Sequence, residues 1–199
     1  MARRWALRPF LAVTNSRRKK PHWWGFAKSN WNGVCCGGVG MLALSMQEEM
    51  PECAAVLASV EQSLKPFMLH LKDTGGGWEE GAGYWGYGMR YAFLYLLSHE
   101  RATGRKHPLL RSRAVHATLR FPHNFAPRGV GASFGDVNRV FPLPFQFAAA
   151  RRLNEPAVEV LVQRRIEAES FTTDVHRDNW PTAAMYLFLR PRTTAARRG

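Results

Sequence analysis

Cysteine is scarce, with three in 199 residues. Cys35 and Cys36 are adjacent and Cys53 stands alone, so no CxxC pair or Cys/His spacing suggests a zinc site or a disulfide framework. Buried free thiols are the expectation. Long apolar runs are also missing. No stretch reaches the roughly 20 residues that cross a bilayer, which excludes a transmembrane protein and a membrane partner. The apolar stretch near the start is broken by Arg8 and Pro9 and makes a poor signal peptide.

Acidic residues are few, 15 against 28 Lys and Arg, for a formal charge of +13. A basic field of that size invites a polyanionic partner. Seven of the bases lie in residues 1–20 and four in 190–199, with no acid in either tail, which leaves +2 for residues 21–189. The basicity thus sits in extensions rather than on a folded face, and nucleic acid is not the expected partner.

What is present is apolar and aromatic. A hydrophobic content of 46% with 12% aromatic suits one globular domain. Residues 1–28 show no sustained period and read as a basic irregular segment. Small residues over 34–50 predict a helix that admits close neighbours, ended by Pro51. Ala54, Leu57, Val60, Leu64, Phe67, Met68 and Leu71 recur at helical steps over 52–72, with Pro66 as a candidate kink. Residues 73–88 read as a glycine-rich loop feeding an aromatic helix over 89–98. Further helices are expected over 108–119, 143–153, 155–168 and 180–189, with 121–139 and 172–179 between them. The fold class is all-α, in the form of stacked antiparallel helix pairs.

Two clusters carry candidate chemistry. Residues 75–88 read GGGWEEGAGYWGYG and set two carboxylates, two phenols and two indoles in a glycine frame. Aromatic faces of that kind stack on sugars, although the same rings could equally plug a helix interface. Before the small-residue helix stands Ser29-Asn30-Trp31-Asn32-Gly33. Neutral amides there can bind a carboxylate, or Asn30 or Asn32 can simply cap the helix.

Together the stretches Asn30-Trp31-Asn32-Gly33-Val34-Cys35 and Glu80-Gly81-Ala82-Gly83-Tyr84-Trp85-Gly86-Tyr87 resemble the heparinase II/III-like and alginate-lyase-like polysaccharide lyases, as does the Gly-rich segment 129–136 ending in Gly135-Asp136. The resemblance runs from Trp23 to Arg190. It implies an incomplete (α/α) toroid over 29–190, with a basic tail over 191–199. The family's C-terminal β-sandwich would be missing, so that the chain reads as a fragment. It implies secretion or a periplasmic location, and no cofactor or metal. It also implies cleavage of a uronic-acid polysaccharide by β-elimination. Asn30 or Asn32 would then stabilise the charge that builds on the substrate carboxylate, and Tyr84, with Tyr87 in reserve, would move the proton. Trp31, Trp78, Glu80, Trp85 and Tyr87 would line the substrate cleft. Gly75 departs from the family, which usually has Asp there, and Trp31 and Trp85 stand where many relatives have His or Tyr.

Competing readings remain open. His116, His123 and His176 are further candidates for a base or a ligand. A glycosidase pair of Glu79 and Glu80 suits adjacent, diverging side chains poorly, and Asp136 would have to complete it. A non-catalytic helical sugar-binding module or inactive remnant is the alternative to a lyase. Exposed apolar faces on a half-toroid would also favour self-association.

Overall fold

The computed structural model describes residues 1–14, 22–125 and 145–168. Every regular element among the described residues is helical, with no strand. The segment 129–136 with Asp136, His176, the expected helix over 180–189 and the tail 191–199 lie outside the described residues.

Residues Arg3–Leu7 form a short π-helical stretch that runs into α1 (Arg8–Thr14), where an irregular segment was expected. Leu7 and Phe10 explain the difference: both are buried, so tertiary contact rather than a legible period holds this helix. Arg3 also pairs with Glu52 across the surface.

The small-residue segment winds into α2 (Asn30–Met46), four residues earlier than its composition suggests. Ser29 is the reason. Its Oγ accepts from the Trp31 amide at 3.3 Å, so the cap falls to Ser29 and to neither Asn30 nor Asn32.

The periodic stretch becomes α3 (Glu52–Asp73), which accommodates Pro66 within its length. Val56, Val60, Leu64, Phe67, Met68 and Leu71 are fully buried along it. Each contributes roughly 1.5–3 kcal/mol of burial free energy. Ala54 lies outside that face, which opens at Cys53 instead.

The next helix, α4 (Gly81–Thr103), starts eight residues before its expected position. Only 74–80 is loop, and the Gly-Ala-Gly-Tyr-Trp-Gly-Tyr-Gly run forms its first two turns. Gly81 itself has φ of 87°, a value that suits glycine alone, and it turns the chain out of the loop. Gly104, at φ of 69°, closes the other end by donating its amide to the Glu100 carbonyl.

Helices α2 and α4 touch backbone to backbone. A Cβ at Gly33 would stand 2.8 Å from the Gly88 carbonyl oxygen, one at Gly37 would stand 2.3 Å from that of Tyr91, and one at Gly40 would stand 2.5 Å from the Tyr95 ring. The pairs advance together in number, so α2 and α4 run parallel. Helix α3 runs antiparallel to α4, with Glu61 reaching Tyr95 and Phe67 reaching Gly88. Two parallel helices backed by an antiparallel one form the frame of the site.

A 3₁₀ turn (Pro108–Arg111) and α5 (Arg113–Thr118) replace the single helix expected over 108–119, and α6 (Phe121–Asn124) opens the stretch 121–139 that was expected to lie between helices. Helices α7 (Phe145–Leu153) and α8 (Pro156–Ala168) fall close to expectation. The three cysteines are free, and burial pushes the Cys36 thiol up to about 12, which keeps it inert. No helix among the described residues is long and apolar enough to cross a membrane.

Candidate functional site

The parallel packing of α2 and α4 sets their N-termini side by side, and four of the sequence-chosen residues gather there. The Trp31 and Tyr87 rings meet edge to face with centroids 6.4 Å apart. Trp23 extends the row against Trp31 at 6.4 Å, and Tyr91 extends it past Tyr87 at 6.2 Å. Trp31 is 48% exposed and Tyr87 38%. Tyr84 is exposed to a similar degree one turn earlier on the same helix. The result is an aromatic strip open to solvent along the first turns of α4.

Asn30, next to Trp31 in sequence, is itself buried, with 3% exposure. A Cβ on Gly88 would stand 2.9 Å from the Asn30 Cβ, so the α2 residue rests directly against α4. Tyr84 shares the Gly88 face four residues before it, one turn or about 5.4 Å along the axis. Asn30 Oδ1 accepts from Ser29 Oγ at 3.1 Å, and that bond orients the amide.

Asn32 turns the other way. Fully buried, it donates Nδ2 to the carbonyls of Trp24 at 3.0 Å, Gly25 at 3.2 Å and Ser63 at 2.8 Å. It ties the segment before α2 to the middle of α3, and its donors are spent inside the protein.

Two tryptophans chosen for the cleft are core residues. Trp85 is fully buried, donates Nε1 to Thr118 Oγ1 at 2.7 Å and lies against Phe121 and Phe145. Trp78 is 3% exposed, packs edge-on against Phe67 and donates Nε1 to Glu80 Oε2 at 3.2 Å. Neither offers a ring face to a sugar, and Glu80 serves as the acceptor that lets Trp78 be buried. Helical spacing explains the split: Trp85 lies between the outward Tyr84 and Tyr87 and faces the core.

The carboxylate pair does not converge on a shared point. Glu79 accepts from His70 Nε2 at 3.2 Å, and His70 also reaches Asp73, which Lys28 pairs at 3.2 Å. This chain of charges fastens the loop 74–80 to α3 and to the approach to α2. His116 bridges Glu155 and the Leu110 carbonyl, each at 3.2 Å, while His123 is buried beside Gln146. Both are engaged within the fold.

A second cluster has no contiguous motif and escapes sequence reasoning. Glu61 of α3, His99 of α4 and His107 before the 3₁₀ turn bring one ligand atom each within 4.8 Å of one another. His107 Nε2 lies 2.7 Å from Glu61 Oε2, and the Tyr95 hydroxyl donates to Glu61 Oε1. Burial pushes the Glu61 carboxyl up, but the bonds from His107 and Tyr95 outweigh it and hold its pKa below the usual range. The only local signal is that Tyr95 and His99 share a helix face at four-residue spacing.

Compared with models of protein families, with curated proteins and with solved structures, the chain matches none.

Proposed function

We propose that the aromatic strip at the joined N-termini of α2 and α4 binds a uronic-acid polysaccharide, and that the chain is the helical part of a β-elimination lyase. The observation that carries this reading is that Trp31 meets Tyr87 and Asn30 meets Gly88, one turn from Tyr84, from stretches more than fifty positions apart. The parallel run of α2 and α4 with α3 behind supports an (α/α) toroid arrangement of helix pairs.

In this reading Trp31 and Tyr87 stack on sugar rings, and the Asn30 amide donates to the uronate carboxylate. Abstraction of the C5 proton pushes charge onto that carboxylate, where a preset donor stabilises the transition state more than the ground state. Tyr84 Oη carries the proton from C5 to the leaving glycosidic oxygen. The C5–H and C4–O bonds break, a C4–C5 double bond forms, and the proton balance closes on one residue. Asn32 leaves the catalytic set and becomes a structural residue.

Paired phenylalanine variants test the assignment. Tyr84→Phe keeps the ring and should lower turnover on an oligouronate by roughly 10²- to 10⁴-fold with little change in binding, while Tyr87→Phe should keep turnover. The reverse pattern would move the proton to Tyr87. Full turnover in both would remove the tyrosines from the chemistry.

A non-catalytic sugar-binding module is the second reading. The exposed Trp23, Trp31 and Tyr87 rings favour it, since a stacking row binds sugar without any proton transfer.

A further inference from the structure

We propose that Glu61, His99 and His107 form a transition-metal site, suited to zinc, at the far end of α4 from the aromatic strip. His99 lies fifteen residues beyond Tyr84, about 22 Å along the helix axis. The two sites can therefore be tested independently.

The three side chains come from three separate segments and meet in a partly buried spot. His99 Nδ1 is buried with no hydrogen-bond partner among the described residues. An imidazole lone pair left in that condition is costly unless something coordinates it. The His99 and His107 rings stand at 78° with centroids 4.9 Å apart, which lets two nitrogens approach one point from different directions. The Tyr95 hydroxyl holds the second carboxylate oxygen, as an outer partner orients a ligand.

Two nitrogens and one carboxylate oxygen suit zinc, cobalt, nickel or copper, and they suit magnesium and calcium badly. Bonds of about 2.0–2.2 Å would place tetrahedral ligand atoms roughly 3.3–3.5 Å apart. The widest present spacing of 4.8 Å must therefore close by somewhat more than 1 Å, within reach of side-chain rotation. Three protein ligands leave a fourth position for water.

Binding has a definite competitor. Leu109 donates its amide to His107 Nδ1 at 3.2 Å, so the neutral ring carries its proton on Nε2, facing Glu61. Metal on Nε2 requires the other tautomer, with that single proton moved to Nδ1, which ends the bond from Leu109. Occupancy thus loosens the start of the 3₁₀ turn.

The test is titration of the metal-stripped full chain with cobalt(II), followed by visible absorption and by competition with zinc. The expected result is one equivalent bound with tetrahedral ligand-field bands, no thiolate charge-transfer band, and faster exchange of the Leu109 amide. Binding should weaken at least tenfold in Glu61→Gln and in His99→Ala and persist in His116→Ala. His99→Ala removes a side chain whose Nδ1 has no bond to lose, so it carries the test if Glu61→Gln fails to fold. A thiolate band, a weak octahedral spectrum, unchanged binding in His99→Ala, or a Leu109 amide that stays protected with metal bound would each overturn the site.

Discussion

Trp31 and Tyr87 stand 56 positions apart in sequence, yet their rings meet at 84° with 6.4 Å between centroids. The contact exists because α2 and α4 approach through glycines, which sets exposed rings from two helices in one row. As a surface residue Trp31 contributes little to stability, so Trp31→Ala should change it by no more than about 0.5 kcal/mol. Loss of a stacking face worth about 0.5–1.5 kcal/mol should weaken oligouronate binding by up to about tenfold. Calorimetry of binding beside a denaturation curve checks both halves, and unaltered affinity would take Trp31 out of the cleft.

The glycine seam makes a sharper prediction about the fold. A Cβ at Gly37 would stand 2.3 Å from the Tyr91 carbonyl oxygen, which is backbone and cannot rotate away. Gly37→Ala should force the helices apart and cost about 1–3 kcal/mol. At Gly38, one residue on, nothing lies within 4 Å. There the same substitution should stabilise α2 by about 0.5–1 kcal/mol through helix propensity. Urea midpoints of the two variants should move in opposite directions.

Asn32 and Asn30 should separate in the same way. Asn32→Ala strands buried carbonyls of Trp24, Gly25 and Ser63 and should cost about 1–3 kcal/mol. Asn30→Ala removes the amide that rests against α4 at Gly88 and should act on uronate turnover instead, at a smaller cost in stability. Thermal melting and rate measurements on both variants decide which asparagine is structural.

The Glu155 carboxylate accepts from Arg120 at 2.9 Å and from His116 at 3.2 Å. Arg120 holds its pKa below the usual value; burial opposes this, and His116 adds to the lowering. A depressed carboxyl pKa contributes stability that is complete above the ordinary glutamate value of about 4.3 and is lost as pH falls through the lower folded value. Melting temperature should therefore drop on acidification below about pH 4.5, and drop less in Glu155→Gln. Parallel acid titrations of the two proteins would show equal slopes if the pair were inert.

The helical class and the inward face of α3 were legible because Val60, Leu64, Phe67, Met68 and Leu71 repeat at helical steps and burial follows that period. The first helix was not legible, since Leu7, Phe10 and Thr14 are buried without a sustained period and tertiary contact holds them. The glycine-rich start of α4 looked like loop because glycine is a poor helix former. Packing against α2 overrides that propensity, and Gly88 turns out to be where α4 meets Asn30 and Gly33. Within the candidate site Tyr84, Tyr87 and Trp31 stood out by composition, but nothing local told the outward Tyr84 from the inward Trp85 until the helix start at Gly81 fixed the phase. The Glu61, His99 and His107 cluster depends on long-range packing between α3, α4 and the turn after them, so no spacing rule exposed it.

The elimination reaction leaves a C4–C5 double bond conjugated with the uronate carboxylate, and its ultraviolet absorbance reports the reaction directly. Heparin, alginate and other uronate polysaccharides incubated with the full chain should give a steady rise for one of them, and Tyr84→Phe should lower that rate by roughly 10²- to 10⁴-fold. A flat trace on every uronate polymer, with sugar binding intact at the Trp31 and Tyr87 strip, would contradict the lyase and leave a binding module.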